Sequence, residues 1–375
     1  MIGMGSSIEH YLSLPEPKRS NHLWRYSPWR KMHPTGNIEE VPNALICDFK
    51  LSNLDGTDVD SRIVLRPAQP TDYSELGSVF SHDHLTSSFQ RAVSQGRAMV
   101  LSVPKAWVGE QPIRIDITGS GHASSLHLLL DIGAGAEVEL ATSMRGEASW
   151  VGLLREGVIG DNAMVREYLY NRMDSEAIIL RSEAFQLGRD ATFQTSTLSV
   201  GGSRVKSDLR YLLAAPGSDL GVNIAVHGDA KRQDDHHIEI THEVGNNRSQ
   251  VQMHAACDGK SRSIGTGRLL ISPDAQKTDS GQVFRNLLLS NKAKADAIPE
   301  LEVLADDVSA NHGAASSPLD PSQLFYLMSR GLDEKTSKDV IVEGFLMDAF
   351  GDFKSPVLVD QLRTLLMVHL DCDLI

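Results

Sequence analysis

Four histidines crowd one stretch of this sequence together with acidic residues, and metal binding is the first chemistry that they suggest. They are His236, His237, His242 and His254, with Asp234, Asp235 and Glu243 among them. In an extended strand, His236 and His242 point to one face and His237 points to the other. A metal site needs three or four converging ligands. Two interpretations stay open: a metal centre built on His236, His237 and His242, or hydrogen-bonded histidines on a solvated strand.

The cysteines and the standard catalytic motifs narrow the chemistry further. Cys47, Cys257 and Cys372 are far apart and form no CxxC pair. A zinc or iron–sulfur site built only from cysteines of this chain is therefore excluded, and each thiol is expected to be buried or incidental. The phosphate-binding pattern GxxxxGK(S/T) and the nucleophile elbow GxSxG are also missing. Any dependence on ATP would thus come from a partner.

The composition is that of a folded, acidic chain. Hydrophobic residues form 41% of the 375 residues, enough for a sizeable core, and the formal net charge is -13. Such a chain lacks the basic face that binds nucleic acids or anionic membranes nonspecifically, so neither partner is expected. No apolar run reaches the roughly 20 residues of a membrane helix. Because the first 18 residues resemble neither a secretory signal nor a transit peptide, we expect a cytoplasmic protein.

Three zones of the chain differ in texture: a mixed region over 1–97, a β-rich region over 98–315 and a helical region over 316–375. In the first, Thr71 can cap a helix that runs to Gln95 and ends at Gly96. In the second, short alternating stretches such as 137–140 and 237–240 are separated by glycine-containing turns. Many short strands without intervening helices predict a sandwich, a barrel or a β-helix. No strict repeat is visible to choose among them.

The last zone predicts three helices. Asp320 begins the first, which Gly331 ends, Asp333 begins the second, which reaches about Phe350, and Ser355 begins the third. Apolar side chains surround the second helix on nearly its whole circumference, so it must be covered on more than one side. Coverage by the other two helices and coverage by a docked partner both stay open.

Seven ordered segments between about Leu198 and Phe350 carry a family resemblance. They are Gly201-Gly202 with Asp208-Leu209, DDHHIEITHEVGNNRSQVQ (234–252), VFRNLLLSNKA (283–293), PELEVLADDV (299–308), HGA (312–314), QLFYLMSRG (323–331) and EGF (343–345). In this order they resemble the SufB/SufD family of iron–sulfur cluster assembly proteins, and LEVLADDV followed by HGA resembles its SufD branch. Trp24-Arg25-Tyr26 is similar to the N-terminal segment of the family, whereas 36–97 shows little resemblance.

The resemblance implies a right-handed parallel β-helix core with N-terminal and C-terminal helical segments, acting as a scaffold and not as an enzyme. It implies that the core pairs with a SufB-like β-helix paralogue and that the C-terminal helices dock a SufC-like ABC ATPase. We expect this docking to involve Phe325, Tyr326, Arg330 and Phe345. A transient iron–sulfur cluster would be shared with the paralogue, and none would be held stably by the isolated chain. Whether the chain forms a homodimer when alone stays open.

The family also points to one ligand, His312. The SufB branch carries a cysteine near the position of Phe284, and many SufD proteins carry one at the position of Ala310; this chain has neither thiolate. Imidazole is a competent iron ligand, so we expect His312 to hold iron or the nascent cluster, the alternative being a structural, hydrogen-bonded histidine. Two other functions stay open: a β-helix or cupin-like metalloenzyme using the His236, His237 and His242 cluster, and a homodimeric interaction protein.

Overall fold

Nineteen strands and seven α-helices form the part of the chain that the structure, a computed structural model, describes, residues 4–371. The strands are β1 (Leu45–Ile46), β2 (Asp48–Asn53), β3 (Val64–Pro67), β4 (Met99–Val103), β5 (Ile113–Gly119), β6 (Ala123–Ile132), β7 (Glu137–Gly146), β8 (Trp150–Ile159), β9 (Met164–Met173), β10 (Ile178–Leu187), β11 (Thr192–Ser199), β12 (Arg204–Leu213), β13 (Asp219–Gly228), β14 (Gln233–His242), β15 (Arg248–Cys257), β16 (Arg262–Ile271), β17 (Asp279–Leu288), β18 (Lys294–Val303) and β19 (Ser309–Pro318). The helices are α1 (Met4–Ser13), α2 (Trp29–Met32), α3 (Pro70–Leu76), α4 (Leu85–Val93), α5 (Pro321–Ser329), α6 (Glu334–Met347) and α7 (Pro356–Leu370).

From β4 to β19 the backbone coils into a parallel β-helix with two stacked sheets. Consecutive strands alternate between the sheets, so the even strands β4 to β18 stack in the first sheet and the odd strands β5 to β19 in the second. This confirms the β-helix among the three predicted β architectures. One turn takes 28 residues between the paired Trp150 and Ile178, but 32 between Arg262 and Lys294. This variation in turn length explains why no strict repeat is visible in the sequence.

The inner faces of the two sheets enclose the main hydrophobic core. On β14, for example, Ile238 and Ile240 face inward and are at most 1% exposed, and the paired residues Leu209 and Tyr211 of β12 face the same way. Since side chains alternate along a strand, every second residue of each strand points into the core. Transfer of these apolar side chains out of water is the main term that stabilises the coil.

The N-terminal segment covers the outer face of the first sheet. Trp24 and Trp29 are each 2% exposed and pack with Phe89 of α4 and with Trp150 of β8. The indole Nε1 of Trp150 donates a hydrogen bond of 2.8 Å to the carbonyl of Met32. The aromatic residues of the N-terminal segment therefore bury a sheet face that would otherwise be in water.

The three predicted C-terminal helices are confirmed as α5, α6 and α7, with N-caps Asp320, Asp333 and Ser355. Helices α6 and α7 pack on the outer face of the second sheet, where Val342 and Leu346 are buried against strand residues. The second predicted helix ends in a 3-10 turn over Asp348–Phe350. Its own chain therefore covers a large part of its circumference.

The predicted helix from Thr71 to Gln95 is wrong, because the segment holds two helices, α3 and α4, with irregular chain between them. Gln69, not Thr71, is the N-cap of α3, and it forms a capping box with Asp72. His84 begins the second helix by accepting a hydrogen bond from the backbone N–H of Ser87. The expected left-handed conformation of Gly96 is present, with φ 67°.

The zone boundaries at 97 and 315 stay predictions as domain limits. Three short strands, β1 to β3, already lie before residue 98, and β19 continues to Pro318. No helix among the described residues is long and apolar enough to cross a membrane. Cys47 and Cys257 are buried, and burial raises the pKa of each thiol to about 12, which keeps both neutral. Cys372 lies outside the described residues.

Candidate partner interfaces and histidine sites

The C-terminal end of the β-helix presents two long, unpaired strand edges. β18 is the last strand of the first sheet and β19 is the last strand of the second. Each has ten residues, and neither contains a buried residue. We call this surface, residues 294–318, the open end. Each outer edge carries backbone N–H and C=O groups that lack a strand partner among residues 4–371. This is the arrangement that accepts a strand from another chain.

His312 lies on β19 at the open end. Its register partner on β17 is Gln282, and the next inward-facing pair is Phe284 with Ala314. Because Phe284 lies in the main core, His312 occupies the inner face of the last coil, and it is exposed there because no further coil covers it. Within residues 4–371 its ring takes part in no hydrogen bond or ion pair. The structure thus places an unengaged imidazole at the mouth of the β-helix.

A groove of about 720 Å³ lies between β19, α5 and α6. The residues that we expect to contact an ATPase line this groove or lie beside it. Tyr326 and Phe345 line it, with Leu327 and Ile341 among the apolar residues of its walls. The ring of Phe345 is half-buried and stacks on His254, with ring centroids 5.1 Å apart. The groove therefore exposes the side of α6 that this chain leaves uncovered.

Helix α5 is the least covered element around that groove, since none of its residues is buried. Phe325 is 74% exposed and Tyr326 is 56% exposed. Arg330 caps the helix, and its guanidinium donates a 3.1 Å hydrogen bond to the hydroxyl of Tyr326 and lies over that ring. Exposed aromatic residues beside an arginine are typical of protein interfaces, but the groove lining includes neither Phe325 nor Arg330.

The His236, His237 and His242 cluster does not form one metal site, whereas the expected hydrogen bonds are present for His237 and His242. His236 and His242 face the inside of the coil, whereas His237 faces outward, where its Nδ1 lies 2.8 Å from the hydroxyl of Thr266. His242 Nε2 lies 2.9 Å from the hydroxyl of Ser249, and burial lowers the pKa of His242 to about 4. The expectation of a solvated strand is also wrong. Strand β14 is largely buried, and the N-terminal segment lies against it, where Gln233 Nε2 donates a 3.1 Å hydrogen bond to the carbonyl of Tyr26.

The fourth histidine of that stretch lies elsewhere. His254 is on the outer face of β15, and its Nδ1 lies 2.8 Å from the carbonyl oxygen of Phe345 on α6. Nowhere in residues 4–371 do three or more histidine, cysteine, aspartate or glutamate side chains converge as metal ligands. Neither the cluster nor the β-helix fold supports the cupin-like metalloenzyme.

The sequence did not reveal a charged network inside the β-helix. Arg155 contacts Glu167 at 2.6 Å and Glu183 at 3.3 Å, and Arg181 contacts Glu183 at 2.8 Å, with all four side chains at most 3% exposed. Burial would raise the pKa of Glu183, but Arg155 and Arg181 lower it below its usual value. The sequence shows alternating charges along single strands. Which of these residues pair between coils can be predicted only when the length of each coil is known.

A second unforeseen row crosses the outer face of the first sheet. Arg210 of β12 approaches Glu239 of β14 at 3.6 Å, Glu239 approaches Arg268 of β16 at 3.6 Å, and Arg268 contacts Glu302 of β18 at 2.7 Å. The row starts at Asp208, which contacts Arg210 at 3.1 Å. It therefore runs from the covered middle of the sheet to the open end.

Comparison with known proteins agrees with the family resemblance. The SufBD core domain of SUF system FeS cluster assembly matches residues 115–345. An iron–sulfur cluster assembly SufBD family protein of Mycobacterium leprae is 27% identical over 96% of this chain and 90% of its own length.

Two relatives carry the SufD name. The iron–sulfur cluster assembly protein SufD of Bacillus subtilis is 26% identical over 70% of this chain and 62% of its own length. SufD of Escherichia coli is 29% identical over 42% of this chain and 38% of its own length. Since the core-domain match spans more than half of the chain, this protein belongs to the SufBD family of iron–sulfur cluster assembly proteins.

Proposed function

We propose that this chain is the SufD-like subunit of a SufB–SufC–SufD-type complex, a non-catalytic cytoplasmic scaffold on which iron–sulfur clusters are built. The observation that carries the proposal is the open end, where two ten-residue strand edges have no partner in the part of the chain that the structure describes. In this proposal a SufB-like β-helix adds its own edge strands there. Long exposed edges are normally avoided in monomeric proteins because they recruit other chains, so a dedicated partner accounts for their presence.

His312 then lies between the two subunits and contributes to the capture of iron and the holding of the nascent cluster, which is cargo and not a resident cofactor. The chemistry of the residue fits this role, since a neutral imidazole is a borderline ligand that suits iron. One imidazole is one ligand. The remaining ligands, thiolates above all, would be supplied by the SufB-like subunit and by a sulfur donor.

The groove between β19, α5 and α6 would receive the SufC-like ATPase. Exposed Phe325 and Tyr326 would be the anchors, with Phe345 as part of the floor. Only Leu319 and Asp320 separate the end of β19 from the start of α5. A movement of α5 driven by ATP hydrolysis in the partner would therefore reach the open end directly, and this link gives the ATPase a route to admit iron at the subunit interface.

Co-expression tests the assembly. The tagged chain is produced with a SufB-like paralogue and a SufC-like ATPase, and both are expected in the purified complex. Phe325→Asp with Tyr326→Asp should remove the ATPase and leave the paralogue, because the groove and the open end are different surfaces. If this variant still captured both partners, the groove would not be the binding site of the ATPase. Substitution is preferable to truncation, since removal of α6 and α7 would expose apolar residues of the second sheet.

His312→Ala and His312→Gln test the ligand role in the same complex. Both variants should assemble normally, because the ring is exposed and makes no contact that holds the fold. Both should give a much lower cluster yield, measured by visible absorbance and iron content. If Gln restores the yield while Ala does not, the histidine is structural. Normal yield in both variants would remove His312 from the mechanism.

A further inference from the structure

The outermost charges of the open end are acidic. The row through Arg210, Glu239 and Arg268 alternates in sign from coil to coil and stops at Glu302 of β18. The side chain of Glu302 is 49% exposed, and that of Glu300, which contacts His22 at 3.1 Å, is 48% exposed. An added strand would lie about 4.8 Å beyond β18. The side chains of that strand would therefore continue the row beside these two carboxylates.

The rest of the open end has the same sign. Residues 294–318 contain five carboxylates and a single lysine, which are Asp296, Glu300, Glu302, Asp306 and Asp307 with Lys294. Asp296 contacts Arg262 at 2.8 Å, as Glu302 contacts Arg268 at 2.7 Å, and Asp306 and Asp307 are exposed. β19 carries no aspartate, glutamate, lysine or arginine. The open end thus pairs an acidic edge with an uncharged edge of small residues.

A second copy of this chain would bring the same charges. In a two-fold dimer that pairs β18 with β18 of the second copy, an acidic edge meets an acidic edge. Like charges directly opposite each other across a pair of strands are destabilising, and opposite charges are stabilising. The sign of this edge therefore discriminates between partners before any detailed fit is considered.

We propose that Glu300 and Glu302 select a partner whose facing edge strand carries lysine or arginine, and that they disfavour self-association of this chain. The inference rests on the proposed function only in that the open end receives another β-helix. It specifies that the facing edge strand of the partner is basic. It also explains why a different chain is bound in preference to a second copy of this one. A basic edge residue beside Glu302 would give the next positive charge of the alternating row.

The test compares wild type with E300K/E302K and with the neutral variant E300Q/E302Q by sedimentation at about 20 mM and about 500 mM salt. Wild type alone should self-associate at least about tenfold more weakly than an equimolar mixture of wild type and E300K/E302K at low salt. High salt should reduce this difference, because the exposed charges are screened. The neutral variant should self-associate more tightly than wild type. A mixture that binds no more tightly than wild type alone would overturn the inference.

The matched control is E110K/E137K, which makes the same change of charge at two exposed positions outside the open end. Its mixture with wild type should behave as wild type alone, and thermal unfolding should show that every variant is folded. Capture of the co-expressed SufB-like paralogue should fall in E300K/E302K and not in the control; equal capture would also overturn the inference. If wild type captures no paralogue, the proposed function fails, whereas the sedimentation comparison still decides the charge selection.

Discussion

The two ends of this β-helix are built differently. At the N-terminal end, β2 and β3 run antiparallel to β5 and β4, respectively, and have only six and four residues. The loop between them packs Ile63, which is 6% exposed, into the core, and Asp60 there accepts a 3.1 Å hydrogen bond from the indole of Trp107. At the C-terminal end, β18 and β19 continue the parallel coil at full length and then stop.

At the N-terminal end, the chain itself closes the stack of coils. A strand that reverses direction cannot be followed by another coil in the same parallel register, so β2 and β3 terminate the stack. Short terminal strands and a loop folded over the core are two known protections against edge pairing. The open end has neither protection. We interpret the N-terminal end as a structural cap and the C-terminal end as half of an interface.

The largest effect is expected from matched apolar truncations at the two ends. Ile63→Ala at the capped end should lower the free energy of unfolding by about 2–5 kcal/mol, because it opens a cavity in the core. Leu304→Ala at the open end should change it by less than about 0.5 kcal/mol, since Leu304 is 55% exposed. Urea unfolding of both variants and wild type measures the difference.

A cost of several kcal/mol for Leu304→Ala would show that the open end is closed in the isolated chain, for instance by a second copy. If the stability of wild type then rose with protein concentration, a second copy would be covering the open end, because stability gained by association rises with concentration. An Ile63→Ala variant as stable as wild type would show that the capped end is not held by its core contacts.

The sequence predicted the elements whose signals are local. The caps Asp320, Asp333 and Ser355 each precede a helix start, and all three helices are confirmed. The helix expected from Thr71 to Gln95 failed because a propensity pattern does not register the irregular chain between α3 and α4. Alternation identified β-strands but left three architectures open, and the family resemblance selected the β-helix.

The site was less predictable than the fold. The position of His312 followed from the HGA segment, but its exposure depends on β19 being the last strand of its sheet, which is a property of the whole stack. The opposite orientations of His236 and His237 followed from strand alternation, but the burial of both faces of β14 depends on the coil and on the N-terminal segment that packs on it. The row of alternating charges that ends at Glu302 joins residues about 30 positions apart. Such pairs become neighbours only when the length of each coil is known.

A smaller, pH-dependent effect separates a histidine inside the stack from the one at the open end. The folded-state pKa of His242 is about 4, whereas the unfolded value is about 6.5. As the pH falls from 6.5 towards 4, the unfolded chain binds the proton first, so this residue lowers the free energy of unfolding by up to about 3 kcal/mol. His242→Gln cannot take up that proton. Its loss of stability between about pH 7 and about pH 4.5 should be smaller by about 2 kcal/mol.

Urea unfolding at the two pH values measures this double difference. Ser249→Ala is the matched control, because it removes the hydroxyl that lies 2.9 Å from the imidazole but keeps the titrating group. That control should retain the steep loss of stability in acid. Parallel profiles for wild type and His242→Gln would show that folding does not lower the pKa of His242.

The smallest effect contrasts two ion pairs, one at each end. At the capped end, Asp72 accepts hydrogen bonds of 2.6 and 2.8 Å from Arg66 and one of 2.6 Å from the backbone N–H of Gln69, with its side chain 10% exposed. At the open end, Glu302 contacts Arg268 alone and is about half exposed. Asp72→Asn should lower the free energy of unfolding by about 1–2 kcal/mol, and Glu302→Gln by less than about 0.5 kcal/mol. Urea unfolding at neutral pH measures both losses of stability. Equal losses would show that Glu302 stabilises the fold as much as Asp72 does. A carboxylate that contributes so little to its own chain, yet changes which chain is bound, would be maintained for the interface.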